Sequence, residues 1–187
     1  MTVNQSQLRM EIVGLDAFRA EPVEGTPPAG YGVRTFRGGD EDAWVGLLQT
    51  GQFTTWDRER LDLMLASEHV LTPQDGIFFT TDTDDRPVGT ACTQLHPGPD
   101  GLVGAEVGWV VVAPEHRGRG LGLVVCRAVL GFIGRCGYDR AFLRTDDFRL
   151  PAIQTYLMLG FQPVLVDPSH PARWDAIRQL LAARGPA

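Results

Sequence analysis

Glycines occupy every second position of a short stretch that follows an apolar run, and residues 110–122 read VVVAPEHRGRGLG. Glycine lacks a Cβ, so the backbone can approach a phosphate closely there. A helical pattern begins directly afterwards, and the first N–H groups of a helix have no acceptor within it and bind anions. The stretch predicts a phosphate site, with a tight turn that binds nothing as the alternative. Its residues are Arg117, Gly118, Arg119, Gly120, Leu121 and Gly122.

Two other nucleotide-binding loops do not fit this stretch. A Walker loop needs a glycine–lysine pair, and all 17 basic residues of the chain are arginines. A dinucleotide loop needs a third glycine three residues after Gly120, where Leu123 stands instead.

Charge is unevenly distributed along the 187 residues. The net charge is −6, but residues 115–149 carry seven arginines and four acids. An acidic protein with one basic region is unsuited to general nucleic-acid binding and suits a small polyanion. We therefore expect no nucleic-acid partner.

Membrane, secretory and metal signals are missing from the sequence. No apolar run reaches the length of about 18 residues that a membrane span needs, and the first residues do not resemble a secretory signal. The three cysteines have no CxxC spacing, which argues against a disulfide framework and a zinc site. We expect a cytoplasmic, bacterial protein with no metal. The arginine and glycine usage suggests a GC-rich genome.

The elements around the loop follow from hydrophobic spacing. Alternation predicts strands at residues 7–12, 31–36, 76–81, 88–95 and 103–112, and the three closely spaced ones predict an antiparallel meander. Spacing of three and four residues predicts a helix from Leu121 to a stop at Gly137. An α/β domain is completed by strands at 140–144 and 161–166 and by helices at 150–159 and 173–183. Asp40 and Asp57 are expected to cap two earlier helices.

Two motifs resemble those of the GCN5-related N-acetyltransferase (GNAT) superfamily. Residues 117–122 match R/Q-x-x-G-x-G/A, and residues 152–161 match A-x-x-x-Y-x-x-x-G-F. Residues 144–151, RTDDFRLP, resemble the mycothiol-synthase-like branch. The likeness is firm over 103–166 and implies a mixed, mostly antiparallel sheet flanked by helices. It places a single acetyltransferase domain at 31–187, after a strand and loop extension at 1–30.

The resemblance also implies chemistry: acetyl-CoA as donor, a primary amine as acceptor, and direct attack of the amine on the thioester. A bulge in the fourth strand of the family frees backbone N–H groups, so Val110, Val111 and Val112 are expected at the cofactor. The family often has asparagine where this chain has Arg149, which is therefore a candidate phosphate contact.

Acid and base candidates follow from the same comparison. Tyr156 is the candidate acid, because a phenol with a pKa of about 10 can protonate a thiolate; a buried core tyrosine is the alternative. Glu106 is the candidate base, since alternation puts it on the face of Val110 unless a bulge intervenes. A salt bridge is the alternative for Glu106, and His96 or water are alternative bases.

Four further questions stay open at this stage. A nucleophilic Cys92 is disfavoured because no partner histidine is indicated. Phe53, Trp56 and Trp44 are core or substrate wall. The function predicted is acetyl transfer to a small-molecule or peptide amine, with a non-catalytic acyl-CoA-binding regulatory domain as the alternative, and a homodimer is left open.

Overall fold

A computed structural model describes residues 6–20, 26–51, 55–67, 70–97 and 103–184. Its strands are β1 (Leu8–Val13), β2 (Gly32–Thr35), β3 (Ile77–Thr81), β4 (Pro87–Pro97), β5 (Val103–Val112), β6 (Arg140–Thr145) and β7 (Gln162–Val164). Its helices are α1 (Asp16–Arg19), α2 (Glu41–Thr50), α3 (Arg58–Leu65), α4 (Leu121–Arg135), α5 (Leu150–Leu159) and α6 (His170–Arg184). The predicted elements are present, although the last strand is shorter than expected.

All of these strands join one sheet in the order β2-β3-β4-β5-β6-β1-β7. Strands β3, β4 and β5 form the predicted antiparallel meander, and β6 is the parallel neighbour of β5. The mixed, mostly antiparallel sheet expected from the resemblance is thus confirmed.

Strand β1 lies inside the sheet, antiparallel to β6 on one side and to β7 on the other. Its inward residues, Leu8 and Met10, are fully buried. The N-terminal strand is therefore joined by backbone hydrogen bonds to the C-terminal part of the chain, while the predicted division at residue 30 stays a prediction.

Two hydrophobic cores cover the two faces of the sheet. The α4-side core packs α1, α4, α5 and α6 on one face, and its buried residues include Val125, Val129 and Ile133. The α2-side core packs α2 and α3 on the other face around Trp44, which is fully buried. Burial of these apolar side chains is the main favourable contribution to folding.

The two predicted helix caps differ. Asp57 caps α3 as expected, because its carboxylate accepts a hydrogen bond from the Arg60 N–H at 2.8 Å. Asp40 precedes α2 but makes no side-chain cap; its carboxylate instead accepts hydrogen bonds from the Arg34 guanidinium at 2.7 and 2.9 Å. Burial alone would raise the pKa of Asp40, but this pairing and the Arg37 N–H hold it below its ordinary value.

Within the described ranges, none of the helices combines the length and apolar character required to cross a bilayer.

Candidate functional site

A gap between β5 and β6 opens at the centre of the sheet. These two parallel strands pair at a single position, where Glu106 lies opposite Phe142. On its other edge β5 carries a bulge: Trp109 and Val110 lie opposite the single residue Ala91 of β4. Trp109 has a φ of +52°, an unusual conformation for a bulky side chain. A bulge twists and bends its strand, which accounts for the separation from β6.

The bulge also changes which face each β5 side chain takes. Val107 packs in the α4-side core, so Glu106 faces the other side of the sheet. Beyond the bulge Val110 packs against the α4-side core, whereas Val111 is buried in the α2-side core. The expectation that Glu106 and Val110 share a face is therefore wrong, because one inserted residue reverses the alternation.

A larger cavity of about 690 Å³ lies beside the gap, between the glycine-rich loop and α5. Gly118 and Gly120 have φ values of +73° and +77°, which favour glycine, and no atom lies within 4 Å of a Cβ built on either residue. The first turn of α4 faces the same space. The cavity is lined by Val110, Val112, His116, Arg117, Gly118, Gly120, Leu121, Gly122, Leu123, Pro151, Ala152, Gln154, Thr155, Tyr156 and Met158.

The two loop arginines are held differently. Arg117 lines the larger cavity and donates from Nε to the Val112 carbonyl at 2.9 Å. Arg119 is outside that lining: its guanidinium donates to the Tyr31 hydroxyl at 2.9 Å and lies over the Tyr31 ring. His116 also lines the cavity, and its Nδ1 is 3.0 Å from the same hydroxyl.

A smaller cavity of about 170 Å³ lies within the gap itself. Val110 and Tyr156 line both cavities, so the two spaces meet at these side chains. The smaller cavity is lined by Gln7, Gln94, Glu106, Val107, Gly108, Trp109, Val110, Arg144, Thr145, Asp146, Arg149 and Tyr156.

Tyr156 extends from α5 and is 6% exposed. Burial is the main cause that raises the pKa of its phenol above the ordinary value, with the nearby Cys126 adding to the effect and Arg149 opposing it. Among the described residues, none forms a hydrogen bond with its hydroxyl. The Tyr156 hydroxyl therefore carries its proton at neutral pH, and no described residue uses it in a hydrogen bond.

Glu106 is 4% exposed and holds three hydrogen bonds. Arg144 donates from two nitrogens to the two carboxylate oxygens, each at 2.9 Å, and His96 Nε2 lies 2.7 Å from Oε2. The pairing raises the pKa of the Arg144 guanidinium. The carboxylate lines the smaller cavity as a base would, and it also forms the salt bridge of the alternative interpretation.

Arg149 lies on the smaller cavity and is absent from the lining of the larger one. It precedes α5 and donates from Nε to Asp146 at 2.9 Å. A phosphate held by the glycine-rich loop would occupy the larger cavity, so this position does not favour the predicted phosphate contact.

The remaining candidates are core residues. Burial raises the pKa of the Cys92 thiol, which disfavours a nucleophilic thiolate there. Trp44 is core, and Trp56 is buried with its ring 4.5 Å from that of Trp109, while Phe53 lies outside the described residues. Two residues of the smaller cavity, Gln94 and Thr145, had no motif that could have identified them.

Comparison with known proteins agrees with this geometry. The Acetyltransferase (GNAT) family model matches residues 42–161. Mycothiol acetyltransferase from Pseudarthrobacter chlorophenolicus is 31% identical over 163 residues, 83% of this chain and 47% of that protein. The enzyme of the same name from Thermobispora bispora is 34% identical over 152 residues, 75% of this chain and 49% of that protein. The chain thus spans about half the length of these curated relatives.

A solved structure supports the same likeness. A GCN5-related N-acetyltransferase from Sphaerobacter thermophilus superposes with a TM-score of 0.64 at 25% identity, covering 86% of this chain and 50% of that one.

Proposed function

The chain belongs to the GNAT acetyltransferase family, whose members use acetyl-CoA, and on that premise we propose that it transfers an acetyl group from acetyl-CoA to a primary amine. One observation carries the proposal beyond the family assignment: the larger and smaller cavities meet at Val110 and Tyr156, inside the gap between β5 and β6. Donor and acceptor can therefore enter from different sides and react at one point.

The larger cavity has the features that a CoA donor requires. The open space beside Gly118 and Gly120 allows phosphates to approach the backbone, and the N-terminus of α4 favours negative charge. Arg117 adds a positive charge to the same wall. The apolar residues between the loop and α5, such as Leu123 and Met158, suit the uncharged arm of the cofactor.

Acetyl-CoA supplies a thioester: the amine nitrogen forms a bond to the acetyl carbon, the carbon–sulfur bond breaks, and one proton passes in net from the amine to the sulfur. In this proposal Tyr156 gives the proton, because its side chain lines both cavities and its hydroxyl is neutral at neutral pH. Glu106 lines the smaller cavity and in this proposal takes the proton of the amine, directly or through water. General acids and bases of this kind contribute about 10²–10⁴-fold in rate.

Because the relatives are named mycothiol acetyltransferases, a screen of primary amines should include desacetylated mycothiol as one acceptor. Thiol release from acetyl-CoA, followed with a thiol reagent, measures the transfer for every member of the screen. Cofactor-dependent thermal stabilisation without thiol release on any amine would favour the non-catalytic acyl-CoA-binding alternative.

The donor site is tested by Gly120→Leu with Gly137→Leu as its matched control. Both glycines have positive φ and open space around the Cβ position, and they lie at opposite ends of α4. Each variant is expected to lose about 1–2 kcal/mol of stability from backbone strain. Only Gly120→Leu should also lose most of the increase in Tm that acetyl-CoA produces; equal cofactor responses in both variants would refute the assignment of the loop.

A further inference from the structure

Two polar side chains that line the smaller cavity form no side-chain hydrogen bond within the described part of the chain. Gln94 is 9% exposed, and its amide forms no hydrogen bond with any residue in the described part of the chain. The Thr145 hydroxyl is fully buried and likewise has no partner among the described residues. Buried polar groups are nearly always hydrogen-bonded, so the buried Thr145 hydroxyl requires an explanation. The Gln94 amide lines the same cavity and is available to a ligand there.

The position of Gln94 is set by the strands. It is paired directly with Glu106 across β4 and β5, so both side chains lie on the same face of the sheet. A Cβ built on Gly108 would overlap with Gln94 Oε1, which shows that the amide extends over that glycine. Gly108 immediately precedes the bulge residues Trp109 and Val110, and the amide is therefore beside the gap.

The charged residues of the smaller cavity already have partners. Glu106 is paired with Arg144, and Asp146 with Arg149, so these four side chains sum to zero charge. Three neutral groups on this cavity form no hydrogen bond with a described residue: the Tyr156 hydroxyl, already assigned to the proton transfer, the Gln94 amide, which both donates and accepts, and the Thr145 hydroxyl. A neutral oxygen on the ligand can satisfy such groups without breaking an ion pair.

We propose that Gln94 and Thr145 bind the acceptor, and that the acceptor is a primary amine with a hydroxyl or carbonyl oxygen close to its nitrogen. This inference rests on the proposed acetyl transfer. Gln94 and the junction residues Val110 and Tyr156 all line this cavity of about 170 Å³, so that oxygen lies within a few bonds of the amine. Binding it gives the Gln94 amide and the Thr145 hydroxyl a partner that no described residue supplies.

The experiment compares three small amines at saturating acetyl-CoA: ethanolamine, glycinamide and n-propylamine. Ethanolamine carries a hydroxyl, glycinamide carries a carbonyl, and n-propylamine has neither. The wild type should have a kcat/KM for one or both oxygen-bearing amines at least about tenfold above that for n-propylamine, because a site built to form hydrogen bonds rejects a ligand that lacks them. The stronger of the two responses identifies the oxygen type.

Gln94→Leu and Thr145→Val should each reduce the ratio of kcat/KM for the oxygen-bearing amine to kcat/KM for n-propylamine. In Gln94→Leu this ratio should fall to about three or less. Gln179→Leu, at an exposed position of α6, is the matched control and should keep the wild-type ratio. The increase in Tm with acetyl-CoA verifies that each variant is folded.

Two failures are distinguishable. A wild-type enzyme that acetylates amines without preferring the oxygen-bearing ones, or a Gln94→Leu variant that keeps the preference, overturns this inference alone. A protein that binds acetyl-CoA and acetylates no amine overturns the proposed function and this inference with it.

Discussion

Replacing Tyr156 by phenylalanine separates a catalytic hydroxyl from a packing role. The ring is buried in the α4-side core and stacks edge-on against Phe161, with centroids 6.1 Å apart. Phenylalanine keeps this packing and removes only the oxygen. Because no described residue forms a hydrogen bond with that oxygen, we expect the free energy of unfolding to change by less than about 1 kcal/mol.

The expected effect on the reaction is much larger. Loss of a general acid lowers kcat by about 10²-fold or more, which is about 2.7 kcal/mol in the activation free energy. Affinity for acetyl-CoA should hardly change, since the loop that carries the glycines is untouched. The raised pKa of the phenol keeps it protonated throughout the neutral range, so its ionisation should not limit the wild-type rate there.

The assay is thiol release at saturating acetyl-CoA and acceptor, with thermal melts of both proteins. Tyr138→Phe is the matched control, because Tyr138 packs against the same core and lines neither cavity. An unchanged kcat in Tyr156→Phe, measured where chemistry limits the rate, would remove this hydroxyl from the mechanism. A variant that loses stability but keeps its rate per folded molecule would identify a core tyrosine.

Three further predictions concern other ionisable groups. Glu106→Gln should lower kcat about 10²-fold if the carboxylate is the base, with the exposed Glu59→Gln as control; an unaffected kcat would leave Glu106 only its salt bridge. Hydrogen bonds from Arg173 hold the pKa of Asp147 below its ordinary value, so its stabilising effect is present above about pH 4 and is lost as pH falls through the lower folded value. Asp147→Asn should therefore lower Tm at neutral pH by an amount equivalent to about 1 kcal/mol or less and make no difference in strong acid; a difference that persists there contradicts the ion-pair explanation. In a thiol titration of the native protein, about one thiol per chain should react rapidly, that of the exposed Cys136. Rapid reaction of more than one thiol per chain would contradict the burial of Cys92 and Cys126.

The sequence by itself predicted the elements whose signals are local. The spacing of apolar residues indicated α4, and the pair of motifs at residues 117–122 and 152–161 indicated the loop, α5 and the family. These signals are readable because a helix repeats every few residues along one segment, and because a glycine with positive φ marks a backbone conformation at its own position.

The tertiary structure alone decided which side chains share the site. A single inserted residue at Trp109 turned Val110 away from the face of Glu106, and Arg149 came to lie in the smaller cavity. Gln94 reached the gap only because β4 pairs with β5 in this register. Strand pairing joins residues that are distant in sequence, and one residue of slippage reverses every side chain beyond it, so hydrophobic alternation could predict the strands but could not assign the residues that meet between them.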